Sequence, residues 1–185
     1  ADTRQATEAA LLKAADQADF ILSTGGVSVG EEDHIKPAVE KLGQLNLWKL
    51  AMKPGKPVAF GQIGKAAFLG LPGNPVSVFV GAQVFLRPLL AKLARQSASG
   101  HLPLEQGVAQ FSASTQIRQE YLRVKAELRD GQWQLQSFAN QNSGVLSSVV
   151  WANALAVLPP GSSIQPGETV TFMRYTELLC LPELH

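Results

Sequence analysis

Three stretches hold residues whose types and spacing suit a negatively charged ligand. Gly25-Gly26-Val27-Ser28-Val29-Gly30 follows the apolar run Phe20-Ile21-Leu22. Glycines let backbone N–H groups approach an anion with no Cβ in the way, and open α/β sheets place ligands beyond the carboxyl ends of their strands. The loop lacks the Gly-Lys-Ser/Thr of a Walker A loop and the spacing of a dinucleotide fingerprint, so a ligand-free turn fits equally well. Glu31-Glu32-Asp33 comes next. Carboxylates there suit a divalent cation or the first turn of a helix, and spacing supports both equally. In Leu71-Pro72-Gly73-Asn74-Pro75, Asn74 suits an N-cap and Pro75 the first helical position. A helix start there offers free N–H groups to an anion, although a plain capped helix explains the same residues. The three features belong on one sheet edge.

The charge distribution points the same way. The 185 residues carry a net +1, but residues 34–95 alone hold nine cations against Glu40, a local +8, between flanks of −5 and −2. Such a segment suits an anionic ligand. Lys41, Lys65, Lys92 and Arg95 read singly as solvated surface. Lys49, Lys53 and Lys56 stand on or beside a strand end with prolines fixing their direction, which favours a ligand role. Further on, Arg118 and Arg123 precede Gln141, Asn142, Ser143, Ser147 and Ser148. Arginine suits bidentate phosphate contacts, and two surface arginines on strand ends are the rival reading.

The remaining composition narrows the class. One cysteine, Cys180, excludes a disulfide framework and a Cys-rich zinc site, and fits a reducing compartment. The overall balance argues against a general nucleic-acid binder. His34, His101 and His185 show no ligand spacing. No secretory start is visible, and the two long uncharged runs are broken by Pro72, Gly73, Asn74 and Pro75 or studded with Gln, Asn and Ser. A soluble protein is expected.

The elements that must position these residues follow from periodicity. An Ala-rich helix over 2–18, with Asp2 as N-cap, leads into Phe20-Ile21-Leu22, expected as a strand buried on both faces. A helix over 33–42 ends at Gly43, and Leu45–Met52 reads as one strand. Val58–Gln62 and Ala66–Leu71 form a hairpin about Gly64-Lys65. A helix from Pro75 to about Arg95 should kink at Pro88. After a linker the pattern turns to strands: Tyr121–Leu128 and Gln132–Phe138 about Asp130-Gly131, then Ala154–Leu158 and Thr169–Tyr175. The expected organisation is an α/β domain over 1–96, a linker over 97–103 and a small all-β domain over 104–185. A helix running straight into a buried strand implies earlier strands, so the chain reads as the C-terminal part of a longer protein.

Gly25-Gly26-Val27-Ser28-Val29-Gly30 with Asp33, then Lys53-Pro54-Gly55-Lys56-Pro57, then Gly70-Leu71-Pro72-Gly73-Asn74-Pro75-Val76-Ser77, resemble the molybdopterin molybdenumtransferase family of MoeA type. Arg123 and the run Gln141-x-Ser143-x-x-x-Ser147-Ser148 resemble its C-terminal barrel less sharply. The resemblance implies a partial three-layer α/β/α domain of molybdopterin-binding type followed by a barrel-like β domain. It implies insertion of molybdenum from molybdate into adenylylated molybdopterin, with Mg²⁺, releasing AMP. It implies a cytoplasmic homodimer in contact with the molybdopterin adenylyltransferase, binding neither nucleic acid nor membrane. Carried residue by residue, it makes Asp33, Lys49 and Lys53 catalytic and Asp33 and Asp2 metal-binding. Gly25, Gly26, Ser28, Gly30, Lys56, Pro72, Gly73, Asn74, Pro75, Arg123 and Ser143 become substrate-binding. Molybdopterin adenylyltransferase activity is the rival enzyme reading, against which the barrel speaks, and a non-catalytic scaffold is the third.

Overall fold

The computed structural model describes residues 3–27, 34–95 and 103–175, which form two compact units. The first comprises residues up to Leu50 together with Gly55–Gly81. Its chain runs α1 (Arg4–Gln17), β1 (Phe20–Thr24), α2 (Ile35–Leu42), β2 (Gly43–Lys49), then β4 (Pro57–Ile63), β5 (Ala66–Leu71) and α3 (Pro75–Gly81). Between β2 and β4 the chain lends β3 (Met52–Lys53) to the second unit.

α1 starts one residue later than its expected cap. Thr3, not Asp2, caps it: the Thr3 hydroxyl accepts from the Ala6 N–H at 3.3 Å. Asp2 lies outside the described residues. The sheet order is β1-β5-β4-β2, with β1 parallel to β5 and the other pairs antiparallel. β1 is not buried on both faces as expected, since Leu22 is 42% exposed and β5 is its partner among the described residues. The hairpin about Gly64 forms as expected, with that glycine at φ 57.

Alternation along the strands sorts the core. Ala59, Ile63, Ala66 and Phe68 meet Leu11 of α1 and Ala38 and Val39 of α2 on one face. On the other, Leu71 packs so close to α3 that a Cβ at Gly81 would stand 2.9 Å from its Cδ2. Helices therefore cover both faces of the sheet, the layered arrangement that an amphipathic strand pattern requires. Each fully buried Leu, Ile or Phe here contributes about 1.5–3 kcal/mol relative to exposure.

Leu45–Met52 was expected as one strand. Register shifts around Leu47 bend β2, and the chain changes partner after Lys49, so the stretch becomes two strands in two sheets. The expected break at Pro88 appears earlier, as a π-helical turn over Ala82–Leu86 that precedes α4 (Arg87–Leu93). A π-turn lets Pro88 sit in the first turn of α4, where its missing N–H costs nothing. The helical run Pro75–Leu93, which includes Arg87 and Lys92, is long and apolar enough to cross a membrane by length and composition alone. Its first turns are tied into the first unit by buried Val76, Ser77 and Val80.

The second unit takes β3, the π-turn, α4 and everything after them. Its strands are β6 (Glu105–Ala109), β7 (Ala113–Ser114), β8 (Gln119–Arg129), β9 (Gln132–Ser137), β10 (Ala154–Leu158), β11 (Ser163–Ile164) and β12 (Thr169–Arg174), with α5 (Ser147–Trp151) before β10. The order β10-β12-β6-β9-β8, with β8 returning to β10, closes a five-stranded barrel, and β3 adds to β8 in parallel. Closure removes the open edges of a sheet. The narrow interior is filled by Leu122, Val124, Leu135, Leu158 and Phe172 interleaved with Ala109, Ala126, Ala154 and Ala156. Gly107 is required there, as a Cβ would stand 2.9 Å from Leu135 Cγ. The β8–β9 hairpin turns through Asp130 and Gly131 at φ 50 and 75, as the Asp-Gly pair predicts.

Candidate functional site

β1 and β5 run parallel, so the loops that leave them, after Thr24 and after Leu71, emerge on the same edge of the sheet. The Gly25 N–H donates to the Leu71 carbonyl at 2.9 Å, fastening one loop to the other. Gly25 and Gly26 then turn at φ 84 and 70, a region where a side chain is strained. Val27 is buried against Gly70: a Cβ at Gly70 would stand only 2.6 Å from Val27 Cγ1. Gly73 faces Gly25, and a Cβ built on it would lie 3.7 Å from the Gly25 Cα. The mouth between the two loops is therefore walled by backbone alone at this point.

Gly55-Lys56-Pro57 reaches the same edge. Gly55, at φ 100, lies against the helix start: its Cβ position is 3.6 Å from the Ser77 carbonyl oxygen and 3.8 Å from Pro72 Cγ. The Leu50 N–H donates to the Lys56 carbonyl at 2.9 Å, and Lys49 is in register with Pro57. β4 runs opposite to β5, so Lys49 and Lys56 stand at the edge where Gly25 and Gly73 meet, and both are exposed. Pro72 is buried while Gly73, Asn74 and Pro75 are exposed, and the Asn74 carbonyl accepts from the Val78 N–H at 2.9 Å. Two facing glycines, a helix start and two lysines make this edge chemically suited to phosphate or another oxyanion.

The other predicted residues belong to the second unit or lie outside the described residues. Lys53 belongs to the second unit, where it pairs with Glu120 at 3.1 Å after entering strand β3. Its peptide bond to Pro54 is cis. Ser143 lies in the segment between β9 and α5. Arg123 is 1% exposed, which corrects the reading of a surface arginine. It donates to Ser148 Oγ at 3.0 Å and to the Asn142 carbonyl at 3.2 Å. Burial pulls its guanidinium below the ordinary arginine range, opposed by the Tyr175 phenol, which burial itself pushes well above the tyrosine range. Asp2, Ser28, Gly30 and Asp33 lie outside the described residues.

Among the described residues no three His, Cys, Asp or Glu side chains gather as a metal site would require. Asp2 and Asp33, the residues the resemblance makes metal-binding, are not among those described, and the described part of the edge offers backbone donors and lysines. The Val27–Gly70 contact and the Lys53–Glu120 pair escaped sequence reasoning. Both join residues more than 40 positions apart, and no local signal marks them.

A family model described as probable molybdopterin binding domain matches residues 1–92, and one described as MoeA C-terminal region (domain IV) matches residues 108–175. The chain belongs to the MoeA-type family. Among its MoeA-type relatives is a molybdopterin molybdenumtransferase of Haemophilus influenzae, 39% identical over 181 residues, covering 96% of this chain and 45% of that protein. The molybdenum cofactor synthesis protein cinnamon of Drosophila melanogaster is 33% identical over 169 residues, covering 89% of this chain and 28% of that protein. A molybdenum cofactor biosynthesis protein from Pyrococcus furiosus superposes with a TM-score of 0.71 at 26% identity, over 94% of this chain and 55% of that one. The MoeA protein of Pyrococcus horikoshii OT3 gives 0.68 at 26% identity, over 91% and 38%. The chain spans less than half the length of the curated relatives named here. Its two-part MoeA-type architecture, layered α/β and closed barrel, is the one the family resemblance implies.

Proposed function

We propose that this chain is the C-terminal part of a molybdopterin molybdenumtransferase, which inserts molybdenum from molybdate into adenylylated molybdopterin and releases AMP. The observation that carries the reading is the meeting of Gly25 and Gly73 at the strand ends, with Lys49 and Lys56 on the same edge. The names of the relatives support the reaction.

Molybdate and the pterin phosphates are both anionic. Glycine turns bring N–H dipoles close to such oxygens, and lysines supply full charge where it develops. In this reading Gly25, Gly26, Ser28, Gly30, Lys56, Pro72, Gly73, Asn74 and Pro75 hold the pterin phosphate, and Lys49 and Lys53 act on the reacting oxyanions. The resemblance also makes Ser143 a pterin contact. Bound Mg²⁺, held by Asp33 and Asp2, would neutralise charge on phosphate or molybdate oxygens. That ion, the homodimer, the cytoplasmic location and the contact with the adenylyltransferase rest on the family resemblance.

The test is AMP release by the full-length protein carrying this chain. Release from adenylylated molybdopterin only when molybdate is added supports insertion. Adenylylation of molybdopterin by ATP would replace this reading with the adenylyltransferase one.

A further inference from the structure

Arg123 lies on β8 between residues that turn into the barrel, Leu122 and Val124, so its side chain leaves the barrel on the outside. It is buried all the same, because the segment from Phe138 to Ala152 crosses that face. Its side-chain hydrogen bonds are made to neutral groups, Ser148 Oγ and the Asn142 carbonyl. Its main chain grips the same segment. The Gln141 carboxamide accepts the Arg123 N–H at 3.0 Å and donates to the Arg123 carbonyl at 2.9 Å. The Phe138 N–H reaches that carbonyl at 3.1 Å. Ser148 Oγ passes the connection on, donating to the Val145 carbonyl at 2.6 Å. These fastenings bracket Ser143 on both sides.

A guanidinium buried among neutral acceptors costs free energy that an apolar side chain would not. What it supplies is geometry: a planar fork reaching two acceptors six residues apart in one segment. We infer that Arg123 is a positioning residue, which meets no ligand itself and fixes residues 139–147 in the shape through which Ser143 acts. The last clause rests on the proposed reading of Ser143 as a pterin contact; the hold on the segment does not.

The experiment uses the full-length protein with Arg123→Lys, Ser148→Ala, Ser143→Ala and the double variant Arg123→Lys/Ser143→Ala. Amide exchange at 139–147 should accelerate about tenfold or more in Arg123→Lys and in Ser148→Ala, with β10 and β12 unchanged. Affinity for adenylylated molybdopterin should fall in Arg123→Lys and in Ser143→Ala, and no further in the double variant. Additive losses would show that Arg123 touches the pterin itself and overturn the inference. So would exchange that is unchanged, or accelerated throughout the barrel. If Ser143→Ala binds normally, the reading of Ser143 fails, while the exchange result still upholds or overturns the hold on the segment.

Discussion

Gly25 and Gly73 face each other across the ends of two parallel strands, each Cβ position within 4 Å of the other residue's Cα. Their closeness follows from strand direction. β1 and β5 deliver their loops to one edge, and the Gly25 N–H bond to Leu71 draws those loops together. A side chain on either glycine would enter the mouth where the anion is proposed to bind.

Gly70 supports that mouth from beneath. Gly70→Ala puts a methyl 2.6 Å from Val27 Cγ1 and 3.1 Å from Ala59 Cβ, so Val27 and the turn before it must shift. The variant should lose about 1–3 kcal/mol in denaturant unfolding, as overpacked cores do, with pterin affinity falling as well. Unchanged stability would mean that Val27 does not lock the loop.

In the barrel, the Asn153 carboxamide stands in for a strand residue. Its Oδ1 accepts the Ala126 N–H at 2.7 Å and its Nδ2 donates to the Ala126 carbonyl at 2.9 Å. Asn153→Ala strips both partners from a backbone buried in β8, and should cost about 1–3 kcal/mol by the denaturation midpoint. Asn153→Asp keeps the acceptor but turns a carboxylate oxygen toward the Ala126 carbonyl, so it should also be less stable than the natural chain.

Much of this was legible in the residues. The hairpins at Gly64 and Asp130-Gly131, the helix start at Pro75 and the strand Ala154–Leu158 carry local turn or periodicity signals, and the structure follows them. The loops of the candidate edge were legible for the same reason, since glycine and proline announce turns. Partner choice was not. Nothing near Met52 marks it for pairing with Gln119, and nothing near Arg123 shows that residues 138–152 will cover it. Those contacts join residues far apart in the chain, and no local pattern chooses between such partners.

Glu8 ties α1 to α2. Its carboxylate lies 2.6 Å from Lys41 Nζ and 2.9 Å from Arg4 Nε, and these partners hold its pKa below the ordinary 4.5, Lys41 foremost. A depressed carboxylate stabilises the fold above its unfolded pKa and loses that effect as pH falls through the folded value. The stability difference between the natural chain and Glu8→Gln should therefore be present at neutral pH and vanish on acidification below 4.5. Thermal unfolding across that range checks it, and added salt should shrink the difference, since the pair is at the surface. A difference independent of pH would remove the ion pairs as its cause.

The most direct measurement is a calorimetric titration of the full-length protein carrying this chain with adenylylated molybdopterin, comparing the natural sequence with Gly73→Ala and with Lys49→Ala/Lys56→Ala. Gly73 has no left-handed backbone and its Cβ would make only ordinary contact, so the alanine should leave the unfolding midpoint unchanged. Its methyl nevertheless projects toward Gly25. We expect both variants to weaken binding about tenfold or more, roughly 1.4 kcal/mol, and the double lysine variant to lose most of its salt dependence. Full affinity in both would place the anion away from this edge and contradict the account.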